Sequence, residues 1–324
     1  METELRVGLV GCGPRAHNHA RLVARMEGVR LEAVCDPLAA PRGRLADEFG
    51  IGRRHGRIDE MLEDAPLDAV LVNVPPHLNA AAAMECLEAG VDTLVEKPPG
   101  LHVAETRALR AAAARSGARC MVGFNRRFNP LIREAKRRVA ERGPRVTVVG
   151  EFHKNLVELE RQGKLAEPTL ARYFYETPIH ALDCVRWLAG SPVREVHSFA
   201  RQAVSRHRDA FGALMQCDNG CIVHLVANIT AGARLERYEI HGAGISAYLE
   251  GVKRGHVVAD GEVTELAGPG TGTGTGAGTG GGGTLEQDRY FFDCVRSDRP
   301  IALPACDLDE AVATMELMAA IHGD

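Results

Sequence analysis

Short β-branched runs alternate with Ala- and Arg-rich helical patterns from Leu5 onward. Leu5–Val10, Leu31–Cys35, Asp68–Val74, Val91–Val95 and Arg119–Gly123 read as strands, and His17–Met26, Pro41–Phe49, Ala80–Glu88 and Val103–Ser116 as the helices between them. Strict alternation of strand and helix predicts α/β architecture, an N-terminal Rossmann-type doubly wound parallel sheet. After Gly123 the rhythm changes. An amphipathic helix, Pro130–Arg142, precedes a strand Arg145–Phe152, an irregular polar stretch Lys154–Pro168 and a helix Pro178–Ala189. Val193–Gln202, Asp209–Gln216, Cys221–Ile229, Arg237–His241 and Ala247–Val252 then follow as consecutive strands. Tight turns between successive strands predict a C-terminal α+β domain built on a large, mostly antiparallel sheet. Leu285–Arg296 and Leu308–Ile321 close the chain as helices.

The expected division is a dinucleotide-binding domain over residues 1–123 and a substrate and oligomerisation domain over 124–324, with the final helices free to pack back on the first. Gly268–Gly283 is almost wholly Gly and Thr and has no apolar area to offset its ordering entropy, so it is expected to be a flexible loop. It reads as a lengthened connection, with a lid as the other possibility.

Composition narrows the class. A chain of 324 residues, 45% apolar and 25% charged, suits two globular cores. The net charge of -4 provides no basic field, which excludes nucleic acid as the expected partner. Met1–Glu4 is polar and Leu5–Val10 is a strand, so neither a signal peptide nor a membrane span is expected, and the cytoplasm is the expected compartment. Nine cysteines lie at positions without zinc-ligand spacing, and no cluster of His, Cys and carboxylates suggests a metal. Cys217 and Cys221 flank Asp218-Asn219-Gly220, a hairpin-turn signal, so strand pairing accounts for their proximity.

Candidate chemistry begins at Gly11-Cys12-Gly13-Pro14-Arg15-Ala16, a G-x-G-x-x-A turn directly after the first strand. Gly11 permits the tight turn, Gly13 lets backbone approach a pyrophosphate, and the helix that follows offers free N–H groups to it. Asp36 ends the next strand at the distance where an acidic residue meets the adenosine ribose hydroxyls. That favours NAD, with NADP kept open by Arg42 and Arg44 nearby; capping of the helix after Pro37 is the structural alternative for Asp36. Asn73-Val74-Pro75-Pro76-His77 follows another strand and either borders a nicotinamide or simply ends the strand. Val91–Val95 runs into Glu96-Lys97-Pro98-Pro99-Gly100, which places a lysine at the C-terminal end of a parallel strand, where open α/β sheets bind ligands.

With Gly11-x-Gly13, Asp36, Pro75-Pro76, Glu96-Lys97-Pro98, Gly123-Phe124-Asn125-Arg126-Arg127-Phe128 and Ile179-His180-Ala181-Leu182-Asp183, the sequence resembles the glucose-fructose oxidoreductase, inositol dehydrogenase and MocA (Gfo/Idh/MocA) family. The resemblance covers nearly the whole chain apart from the Gly tract. It implies that Lys97 and His180 face the substrate carbon opposite the nicotinamide, that Glu96 serves the cofactor side, and that Asn125 or Arg127 lines the site. The chain departs from the family at Glu176, where many members have Asp, and at Ala171-Arg172-Tyr173-Phe174-Tyr175, which replaces the usual glycines.

Oxidising a secondary alcohol requires a group that accepts the hydroxyl proton and a donor that holds the oxygen, roles suited to neutral His180 and protonated Lys97. Thr177-Pro178 reads as a helix cap and first residue, which would set His180 in the first turn, with Asp183 on the same face to orient the ring or bind a hydroxyl. Glu176 is positioned to tune His180 or contact substrate. The expected function is hydride transfer between NAD(P) and a secondary alcohol or ketone of a sugar, cyclitol or similar polyhydroxylated small molecule. A reductase of a C=N or conjugated bond is the second enzymatic reading, and a non-catalytic sensor of nicotinamide nucleotide is the alternative from another class. The broad sheet suggests a homodimer or homotetramer.

Overall fold

The computed structural model describes residues 4–163, 165–267 and 282–324, so most of the expected Gly/Thr loop lies outside the described residues. The chain divides into two compact units. Among the described residues, the first comprises those up to Phe124 with Thr284–Val312, and the second those from Asn125 to residue 267 with Ala313–Asp324.

The first unit runs β1 (Leu5–Val10), α1 (Pro14–Val23), β2 (Val29–Cys35), α2 (Ala39–Phe49), β3 (Arg53–His55), α3 (Ile58–Asp64), β4 (Ala69–Val72), α4 (Asn79–Glu88), β5 (Asp92–Val95), α5 (Val103–Ser116) and β6 (Cys120–Val122), with α11 (Thr284–Arg296) from the C-terminal part. Its strands form a parallel sheet in the order β3-β2-β1-β4-β5-β6. The order reverses beside β1, and a crevice opens beyond the strand ends there. Val7, Leu9, Val70, Leu71, Leu94 and Val95 are buried, because helices cover a parallel sheet on both faces. The strand β3 and the helix α3 depart from expectation. Arg53-Arg54-His55 is a three-residue edge strand with no apolar alternation, and α3 buries only Met61. Helix α1 starts at Pro14 rather than His17, since Gly13 takes the N-cap and proline suits the first helical position.

The second unit contains α6 (Pro130–Arg142), β7 (Arg145–Asn155), α7 (Leu156–Arg161), α8 (Glu167–Ala171), α9 (Tyr173–Glu176), α10 (Ile179–Ala189), β8 (Val193–Arg201), β9 (Ala210–Cys217), β10 (Ile222–Asn228), β11 (Thr230–Gly242), β12 (Ile245–Glu250), β13 (Arg254–Ala259) and β14 (Glu262–Ala267). The unit division falls inside α12 (Leu308–His322). The sheet order is β14-β13-β12-β11-β7-β10-β9-β8. Every neighbouring pair is antiparallel except β7 with β10, which is parallel in the middle of the sheet. Part of the expected irregular stretch is helical: the Asn155 side chain accepts the Glu158 N–H and caps α7. Helix α10 packs on the inner face, where Gly150 leaves room for Val185. The outer face exposes Phe199, Leu214, Val226, Leu235 and Val263. All nine cysteines are buried as free thiols, Cys217 and Cys221 at the β9–β10 turn. Among the described residues no helix is long and apolar enough to cross a membrane.

Candidate active site

Gly11 has φ +85°, and a Cβ there would lie 2.7 Å from the Asn73 carbonyl oxygen, so only glycine lets β1 and β4 close around the turn. At Gly13 a Cβ would meet nothing within 4 Å, which leaves open space above the backbone at the start of α1. That space belongs to a cavity of about 790 Å³ lined by Gly11, Gly13, Pro14, Arg15, Asp36, Leu38, Pro41, Ile58, Asn73 and Pro75, among others. Ala16 is fully buried beneath it, where a small residue lets α1 pack closely on the sheet.

Asp36 closes the cradle. Its Oδ2 accepts the Cys12 N–H at 2.8 Å and its Oδ1 accepts the Leu38 N–H at 2.9 Å. Each oxygen keeps lone-pair capacity for a ligand hydroxyl. The carboxylate therefore braces the glycine turn and holds the turn that leads into α2, whose N-cap is Leu38 rather than Asp36. Arg42 donates to the Asp36 carbonyl oxygen at 2.5 Å, and Arg44 is exposed. An open glycine backbone, a free helix start and a braced carboxylate at the second strand's end fit a dinucleotide.

Glu96, Lys97 and Pro98 leave β5 as a pinned turn with a cis Lys97–Pro98 peptide. Asn79 Nδ2 donates to the carbonyls on either side of Lys97, at 3.0 Å to Glu96 and 2.8 Å to Pro98. Glu96 points into the core. Its Oε1 accepts Arg15 Nε at 2.7 Å and lies 3.1 Å from His19 Nε2, while His19 Nδ1 lies 2.6 Å from Asp288 Oδ2 on α11. Burial pushes the Glu96 carboxyl up, but the Arg15 guanidinium and His19 outweigh it and hold it well below the usual range. Lys97 itself is half-buried, and His77 is half-buried in the short Pro76–Leu78 turn.

In the second unit His180 occupies the first turn of α10, as expected, but not through the expected cap. Pro178 is the N-cap with helical φ and ψ, and Thr177 ends α9, its carbonyl accepting the His180 N–H at 3.1 Å. Arg126 Nη1 approaches His180 Nε2 at 3.5 Å and donates to Asn125 Oδ1 at 3.0 Å. Glu236 on β11 takes Arg126 in a two-pronged pair, both bonds 2.9 Å, and accepts the Tyr238 hydroxyl at 2.9 Å. Burial pushes the Glu236 carboxyl up, yet Arg126 brings it down to about 2. Glu176 is half-buried at the end of α9, and Lys154 reaches Thr177 Oγ1 at 3.4 Å.

Two expectations are corrected. Arg127 is fully buried rather than lining a substrate site, and Asp183 does not orient His180. Asp183 receives Arg127 Nε at 2.9 Å and Nη2 at 2.7 Å, plus the Thr314 hydroxyl at 3.2 Å. A guanidinium removed from water needs a paired carboxylate, and that need consumes Asp183. Sequence reasoning missed His19, Asn79, Asp288, Arg126 as a neighbour of His180, and Glu236. The histidine was visible as a polar residue on the buried face of α1; the partners on α11 and β11 gave no local signal.

Residues 5–124 match the model of an oxidoreductase family described as GFO_IDH_MocA with an NAD-binding Rossmann fold, and residues 132–247 match the GFO/IDH/MocA C-terminal domain. Among curated proteins, the scyllo-inositol 2-dehydrogenase (NAD(+)) of Bacillus subtilis (strain 168) is 28% identical over 271 residues, spanning 79% of this chain and 77% of its own length. An inositol 2-dehydrogenase of Corynebacterium glutamicum is 27% identical over 239 residues, 71% of this chain and 68% of its own. Among solved structures, an oxidoreductase from Agrobacterium radiobacter in complex with NAD+, L-tartaric acid and magnesium superposes with a TM-score of 0.84 at 18% identity, covering 99% of this chain and 96% of that one.

Proposed function

The chain belongs to the Gfo/Idh/MocA family of NAD-dependent oxidoreductases, and from that premise we propose that it transfers a hydride between nicotinamide and a secondary alcohol or ketone of a sugar, cyclitol or similar polyhydroxylated small molecule. The observation that carries the reading is the glycine cradle braced by Asp36 together with a lysine pinned at the end of β5. The inositol dehydrogenases among the relatives support the substrate class.

Bound nicotinamide supplies the hydride acceptor or donor. Gly11, Gly13 and the start of α1 hold the pyrophosphate, with Arg15 at the same wall. Asp36 receives the ribose hydroxyls. In the direction of oxidation, the Lys97 ammonium holds the substrate oxygen and offsets charge gathering on it, while neutral His180 accepts the hydroxyl proton. Glu176 and Asn125 contribute to substrate and cofactor contacts respectively.

Asp36 also sets the choice of nucleotide, because a carboxylate repels a 2'-phosphate. Asp36→Ala is expected to weaken NADH binding by about 10- to 100-fold, the range for charge-assisted hydrogen bonds, and to strengthen the weaker NADPH binding by removing the repulsion. Calorimetry with both nucleotides checks this; NADPH binding tighter than NADH in the unsubstituted protein would overturn it.

The outer face of the large sheet favours a homodimer or homotetramer. Phe199 and Val226 flank Gly212 in one row across the sheet, and Leu214 stands in the next. Apolar side chains exposed together on one face suit a self-complementary two-fold contact. Phe199→Glu with Val226→Glu is expected to shift the mass measured by light scattering to the single chain. An unsubstituted protein already single at working concentration would end that reading.

A further inference from the structure

His19 is wholly buried, and each of its ring nitrogens faces a carboxylate oxygen: Asp288 Oδ2 at 2.6 Å and Glu96 Oε1 at 3.1 Å. Carboxylates accept and do not donate, so both nitrogens must carry protons for both contacts to hold. Burial alone would lower the imidazole's proton affinity, but Asp288 and the bonds to both carboxylates raise it. The chain of Asp288, His19 and Glu96, all buried, and the partly exposed Arg15 then alternates in sign and sums to zero, which offsets the cost of the charges kept away from water.

This chain meets the catalytic turn at one residue. Glu96 is tied by its backbone N–H to the Val72 carbonyl at 3.0 Å and by its own carbonyl to Asn79. Its side chain lies against Gly123, where a Cβ would come within 3.1 Å of Oε1, so the glycine leaves the room that the carboxylate occupies. Arg15 lines the cofactor cavity and is a third exposed, whereas His19 is fixed from behind by Asp288, which is held in turn by Gln287 Nε2 at 3.2 Å. A phosphate that drew Arg15 outward would leave Glu96 still paired.

We propose that His19 and Asp288 are positioning residues for Lys97, acting through Glu96 to keep the Glu96-Lys97-Pro98 turn in place whether or not Arg15 is engaged by the cofactor. The role rests on the reading of Lys97 as the residue that holds the substrate oxygen, and it adds two side chains that touch neither substrate nor nicotinamide. Removing the imidazolium leaves two buried carboxylates with one cation, and the turn relaxes as Glu96 seeks another partner.

The test compares the full-length protein with His19→Gln and, as a gentler change that keeps the side-chain shape, Asp288→Asn. Amide hydrogen exchange is followed over the whole chain with NADH bound, and turnover is followed with scyllo-inositol and NAD. The expected result is exchange about tenfold faster at the amides of Glu96, Lys97, Gly100 and Leu101, with β1 and β4 unchanged. Turnover should show kcat lowered about tenfold or more and NADH affinity kept within about threefold. Unchanged exchange at these amides in both variants would overturn the proposal, as would equal acceleration throughout the first unit, which marks a general packing role. Absence of turnover in the unsubstituted protein would instead count against the hydride-transfer reading, and the exchange pattern decides the positioning role regardless.

Discussion

Lys97→Ala is expected to lower kcat/KM for whichever polyhydroxylated alcohol the protein oxidises by about 10²- to 10⁴-fold, the usual worth of a positioned acid or base, and His180→Ala to do the same. Both variants should keep NADH affinity within about threefold, because neither side chain lines the cavity of the glycine cradle. The double substitution should cost little more than either single one, since two groups serving one proton transfer fail together. Steady-state kinetics beside NADH titration separates the outcomes. A Lys97→Ala protein with unimpaired turnover would remove the assignment, and full additivity would show that the two residues serve separate steps.

Asp183→Ala carries the second large effect, on stability rather than chemistry. It removes the carboxylate that pairs two-pronged with Arg127, a side chain with no measurable exposure, and losing one partner of such a buried pair costs about 3–5 kcal/mol. That is a large share of the roughly 5–15 kcal/mol that keeps a domain folded. Urea unfolding followed by Trp187 fluorescence should show a much lower midpoint, and Arg127→Met combined with Asp183→Leu should recover much of it. Asp183→Ala with unchanged unfolding and lost turnover would return Asp183 to the substrate site.

The correction at Asp183 shows where sequence reading stops. Helical spacing put Asp183 on the face of His180, but spacing of three within one helix says nothing about a competing arginine 56 residues earlier. The glycine turn, Asp36 and the Glu96-Lys97-Pro98 turn were legible because each depends on local backbone demands: a positive φ at Gly11, a strand end, a residue followed by proline. Strand β3 escaped because three polar residues at a sheet edge have no hydrophobic period. The short helices α7 and α8 escaped because each is little more than a turn. The Arg126–Glu236 and His19–Asp288 pairs join residues 110 and 269 apart and could be seen only once the fold had brought them together.

The parallel pairing of β7 with β10 bears on how the second unit assembles. Thr147 must find Ile222 across some seventy intervening residues, whereas β8 to β10 and β11 to β14 are antiparallel neighbours joined by connections of eight residues or fewer. The entropy of closing so long a segment is spent before the central contacts repay it, so the two meanders form early and the middle of the sheet zips last. Until it does, the apolar edges of both meanders stand open, and the refolding yield of this protein should fall as chain concentration rises.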